Sequence, residues 1–96
     1  MAKKKSGLPN KIKLFQNYPN PFNPVTVIRY QLPVHSYVTL KVFDVLGREI
    51  ETLANSEFAA GEHSVTLDAK RFASGIYFYR IITPTFSQTR SMILMK

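Results

Sequence analysis

The stretch Phe72-Ala-Ser-Gly-Ile-Tyr-Phe-Tyr-Arg80 reads as a turn that feeds a strand. Gly75 lacks a Cβ and can take the positive φ that a tight turn requires. From Ile76 to Thr83 the residues are strongly β-prone, with Tyr77, Tyr79 and Ile81 on one face. This period of two predicts a half-buried strand. Pro84-Thr85 breaks the pattern. Residues 86–96 then form a last strand, which ends in Arg90-Ser-Met-Ile-Leu-Met-Lys96 and is expected to run to the final residue. Its facing is open at this stage: either Met92 and Leu94 point inward, or Ile93 and Met95 do.

Working back from that pair, the same alternation recurs. His63, Val65 and Leu67 alternate with Ser64 and Thr66. Residues 37–44 set Val38, Leu40 and Val42 against Thr39, Lys41 and Phe43. Asp44-Val-Leu-Gly-Arg48 is a hairpin turn with Gly47 available for positive φ. Residues 49–53 are the return strand, with Ile50 inward. Residues 55–61 are expected to be a loop, and residues 68–75 a turn or a single helical turn. Residues 25–32 place Ile28, Tyr30 and Leu32 on one face and Arg29 and Gln31 on the other. Before them, Pro19, Pro21 and Pro24 alternate with Asn17, Asn20 and Asn23. Proline removes a donor, so this segment is neither a central strand nor a helix. It is expected to be an ordered loop, pinned to the core by Tyr18 and Phe22.

These elements predict an all-β fold: an immunoglobulin-like antiparallel β-sandwich of about six or seven strands. Tyr77 opens its strand facing inward. Its hydroxyl can return to the turn backbone, as in the tyrosine corner of such sandwiches. The 96 residues fit one domain. Residues 14–96 are assigned to the sandwich and residues 1–13 to a flexible basic leader or linker.

Composition excludes several classes. There is no cysteine, hence no disulfide framework and no thiolate metal site. No run approaches the roughly 18 apolar residues of a membrane helix. The net charge is +7, but Lys3, Lys4, Lys5, Lys11 and Lys13 supply five of those positives, and the rest of the chain carries only +2. The basicity therefore belongs to the leader, and no nucleic-acid partner is expected. His35 and His63 sit in different elements, without further ligands at metal spacing. Ser56, Ser64 and Ser74 carry no motif of a nucleophilic triad. Asp44 is not followed by a calcium loop, since Glu49 and Glu51 fall on a strand. No catalysis and no cofactor are expected. Tyr18, Phe22, Phe43, Phe78 and Phe86 would make a carbohydrate platform only if several were exposed together.

Four segments carry a resemblance. They are Phe15-Gln-Asn-Tyr-Pro-Asn-Pro-Phe-Asn-Pro24, Leu40-Lys-Val-Phe-Asp-Val-Leu-Gly-Arg48, Ser74-Gly-Ile-Tyr-Phe-Tyr-Arg80, and residues 90–96. In this order and spacing they resemble the type A C-terminal sorting domain of cargo proteins of the bacterial type IX secretion system. The chain is also similar to the immunoglobulin-like domain of flagellar hook-capping proteins. The resemblance implies a domain at the end of a large exported cargo. It implies transit through the periplasm, recognition by the outer-membrane translocon, and removal by a sortase-like cysteine protease. The cargo is then released or held at the cell surface.

The family's motif regions map onto Ser74, Gly75 and Tyr77 and onto the terminal strand, with Arg90, Met92, Leu94 and Lys96 as recognition residues. The family often has two adjacent basic residues before its last apolar run; here Arg90 is followed by Ser91. A terminal strand at a sheet edge would present free backbone groups, to a partner sheet or to a second copy. The alternatives are a structural or adhesive immunoglobulin-like module and a carbohydrate-binding accessory domain. A chain that ends directly after its last strand is expected of a sorting domain.

Overall fold

A computed structural model describes residues 10–96. It contains seven strands: β1 (Lys13–Leu14), β2 (Val25–Leu32), β3 (Ser36–Phe43), β4 (Glu49–Phe58), β5 (Gly61–Asp68), β6 (Gly75–Thr83) and β7 (Phe86–Leu94). They form two antiparallel sheets, one ordered β1-β2-β5 and the other β4-β3-β6-β7. The sheets pack as a sandwich, the expected fold. The core is made of the alternate residues that face inward: Ile28, Tyr30 and Leu32 from β2, Val38, Leu40 and Val42 from β3, Leu67 from β5, and Tyr79 and Ile81 from β6. Each fully buried side chain of this kind stabilises the fold by about 1.5–3 kcal/mol.

Met92 and Leu94 settle the facing of β7, because both lie in the core while Ile93 and Met95 face outward. The strand stops at Leu94, two residues before the expected end. The β3–β4 hairpin is closed as expected. Gly47 has φ +85, and the Asp44 carboxylate accepts the Leu46 and Arg48 amides, each at 2.9 Å. The Arg48 amide, with its guanidinium, holds the Asp44 carboxyl below the usual range.

Three expectations are corrected. Ile50 does not point inward but is 39% exposed. Bulges between Leu40 and Lys41 and between Val42 and Phe43 shift the facing of β4, so that Glu51 lies opposite Val42. The loop expected over residues 55–61 shrinks to Ala59 and Ala60, because β4 runs on to Phe58 and pairs with β3, and β5 starts at Gly61. The strand predicted over residues 49–53 thus continues; only Leu53, Ala54 and Phe58 of β4 pack against the core, without regular alternation, so hydrophobic alternation does not reveal the extension. Tyr18 does not pin its loop through its ring, which is 79% exposed; its main chain exchanges hydrogen bonds with Val27 at 2.9 and 3.0 Å.

The expected leader falls mostly outside the described residues. Of its last part, Ile12 packs against the core and Lys13 pairs with Gln31.

Candidate recognition surface

The turn before β6 is built from short-range bonds. The Asp68 carboxylate accepts the Lys70 amide at 3.0 Å, and the Phe72 amide donates to the Ala69 carbonyl at 3.0 Å. Gly75 closes the turn with φ +150. The Tyr77 hydroxyl donates to the Ala73 carbonyl at 2.6 Å, and its ring lies 5.2 Å from that of Phe72. This is the tyrosine corner expected from the sequence.

The end of β7 lies against this turn. Gly75 pairs with Leu94 and Tyr77 with Met92. The Lys96 amide donates to the Ser74 Oγ at 3.1 Å, and the Lys96 Nζ donates to the Lys70 carbonyl at 2.5 Å. Ser74, Gly75, Tyr77, Met92, Leu94 and Lys96 are thus brought together at one end of the sandwich. Met92 and Leu94 belong to its core, so the face shown outward there is formed by Ile76 and its register partner Ile93, 50% and 40% exposed, followed by Met95. Sequence analysis did not single out these three. For Ile76 the signal was present, since it has the opposite parity to Tyr77; for Ile93 and Met95 it was not, because both parities of β7 are apolar there.

Arg90 lies apart from the cluster. It faces the same way as Met92, and its Nε donates to the Leu14 carbonyl at 2.7 Å. It is an inter-sheet tie rather than a free surface charge.

The edge of β7 is not open, as had been expected, along its last residues. The proline- and asparagine-rich segment before β2 lies on it. Phe22 is buried and bridges Leu94 in parallel. The Phe22 amide donates to the Ile93 carbonyl, and the Met95 amide to the Phe22 carbonyl, each at 2.9 Å. The Asn20 Oδ1 accepts the Ile93 amide at 2.9 Å, and the Gln16 Nε2 donates to the Ser91 carbonyl at 2.7 Å.

A buried polar network fixes the base of this arm. The Tyr79 hydroxyl accepts the Asn17 amide and donates to the Phe15 carbonyl, both at 2.7 Å. The Asn17 Nδ2 donates to the Thr26 Oγ1 at 2.9 Å, and that hydroxyl donates to the Pro19 carbonyl at 2.8 Å. Burial pushes the Tyr79 hydroxyl up to about 12.

The other candidates have local roles. His63 bonds the Ala59 carbonyl at 2.8 Å and stacks on Tyr30. His35 faces Glu57 at 3.2 Å. A groove lined by Glu51, Asp68, Lys70, Arg71 and Phe72 offers two carboxylates and two cationic groups, with no serine, threonine, cysteine or histidine among them. Of the five aromatics considered as a carbohydrate platform, only Tyr18 is strongly exposed. Phe22 is in the core, Phe86 packs against it, and Phe43 lies under the Arg80 guanidinium at 5.2 Å.

Fold and cluster define a small β-sandwich that presents a tight turn and its last strand side by side. The family described as secretion system C-terminal sorting domain matches residues 16–95, and the chain belongs to that family. Its members are sorting signals for type IX secretion, a targeting module rather than a catalytic one, and imply export to the cell surface or secretion. No curated protein and no solved structure matches the chain.

Proposed function

We propose that this domain directs an attached cargo protein across the outer membrane through the type IX secretion system, and that it is read at the end of the sandwich where its last strand meets the Ser74 turn. The observation that carries this reading is the hydrogen bond from the Lys96 amide to the Ser74 Oγ at 3.1 Å. It joins the two motif regions into one surface, so that one partner can touch both. Gly75 and Tyr77 shape the turn. Met92 and Leu94 anchor the strand from within, and Arg90 holds its middle to the other sheet. Lys96 supplies the charge at its end. The partners are the translocon and a sortase-like cysteine protease that separates domain from cargo after transit through the periplasm.

The test is a fusion of the whole chain to the C-terminus of a periplasm-targeted fluorescent protein, in a bacterium that carries type IX secretion. Fluorescence outside the cell with the domain, and in the periplasm without it, is the expected result. Equal retention of both fusions would contradict the proposal.

A further inference from the structure

We propose that the 16–22 arm is a displaceable stand-in for a partner strand, and that an extended segment of the reading partner takes its place on the β7 edge. This rests on the proposed reading of β7 by the secretion machinery. Three observations support it.

The arm occupies the groups that strand addition would use: the Ser91 and Ile93 carbonyls and the Ile93 and Met95 amides all bond to it. It does so irregularly. Only Phe22 contributes backbone on both sides, while Gln16 and Asn20 reach in with exposed side chains, because Pro19 and Pro21 have no amide to give. An ordinary strand would pair more completely. Finally, the row that the arm covers extends beyond it. The alternation that turns Ser91 and Ile93 outward also turns Thr89 and Ser87 outward, and β7 is the last strand of its sheet. An incoming strand can start at Ser87 and advance towards Ile93, replacing the arm contact by contact.

The test locks the arm. Asn23 and Met95 are exposed and lie one residue beyond the Phe22–Leu94 bridge, and the chain has no other cysteine. Asn23→Cys with Met95→Cys ties arm to strand in the oxidising periplasm. A control, Arg80→Cys with Thr89→Cys, ties β6 to β7 at an exposed register pair and leaves the arm free. Both are made in the whole chain fused to the periplasmic reporter.

The arm-locked pair is expected to lose export by roughly tenfold or more, to unfold no more easily than wild type, and to regain export when reductant is added. The control pair and the single variants are expected to be exported. Export of the arm-locked pair at the wild-type rate, with its disulfide confirmed by mass, would overturn the proposal. So would retention of the control. Asn20→Ala removes the exposed side-chain cap on the Ile93 amide without touching the buried network and is expected to be exported at least as fast as wild type; slower export with unchanged unfolding would also overturn it. Retention of the wild-type fusion would instead bring down the sorting function itself, and this inference with it.

Discussion

Arg90 on β7 donates from its Nε to the Leu14 carbonyl on β1 at 2.7 Å, so the last strand of one sheet is tied to the first strand of the other. A charged donor on a half-buried carbonyl contributes about 1.5–3 kcal/mol. Arg90→Glu removes that donor and sets a carboxylate against the carbonyl. It is expected to destabilise the fold by about that amount, measured by urea unfolding. A loss of export in this variant would therefore reflect folding as much as recognition.

Tyr79→Phe leaves the Asn17 amide and the Phe15 carbonyl without their shared hydroxyl. Unsatisfied buried groups cost about 1–3 kcal/mol each, and a loss of about 2–4 kcal/mol is expected by denaturant titration. The hydroxyl also sets an alkaline limit. Its folded pKa, raised mainly by burial to about 12, lies above the ordinary value of about 10. Below pH 10 both folded and unfolded states keep the proton and the contribution is complete. As pH rises from about 10 to 12 the unfolded state loses its proton first, and stability falls. The phenylalanine variant is expected to fall less over that window, with Tyr30, also raised by burial, supplying what slope remains.

Gly75 has φ +150, and a Cβ built there would meet no atom within 4 Å. Gly75→Ala therefore costs backbone strain alone, about 1–3 kcal/mol. Tyr77→Phe, which removes the hydroxyl bond to the Ala73 carbonyl, is expected to cost about 1 kcal/mol. Thermal unfolding of the two variants checks both values.

Phe22 and Tyr18 occupy one loop with opposite consequences. Phe22 is 2% exposed and Tyr18 is 79% exposed. Phe22→Ala is expected to lose about 3–5 kcal/mol, whereas Tyr18→Ala is expected to stay within about 0.5 kcal/mol of wild type. Paired urea melts decide this.

What the sequence shows plainly is whatever has one wet and one dry face. β2, β3, β5 and β6 each announce themselves by alternation, and Gly47 and Gly75 mark the turns that connect them. β4 is legible only in its first half, because few of its residues touch the core and two bulges break its phase, so Asn55 looks like loop and Ile50 like core. β7 shows the opposite ambiguity: Met92, Ile93, Leu94 and Met95 are all apolar, and only packing chooses between the two parities. The proline-rich segment is recognisable as ordered but not as the cover of β7. Its contacts with Ser91 and Ile93 span more than 70 positions of sequence and fall on main-chain atoms of β7, which leave no trace in its residue pattern. For the same reason Arg90 looks like a surface charge until its carbonyl partner is seen.

Lys96→Glu tests recognition at the end of the sandwich most directly. Lys96 is exposed and, among the described residues, its side chain bonds only the Lys70 carbonyl, so unfolding of the variant is expected to stay within about 0.5 kcal/mol of wild type. In the whole chain fused to the periplasmic reporter, the expected result is wild type outside the cell and a folded Lys96→Glu variant held in the periplasm. A folded variant exported at the wild-type rate would contradict recognition at that end of the domain.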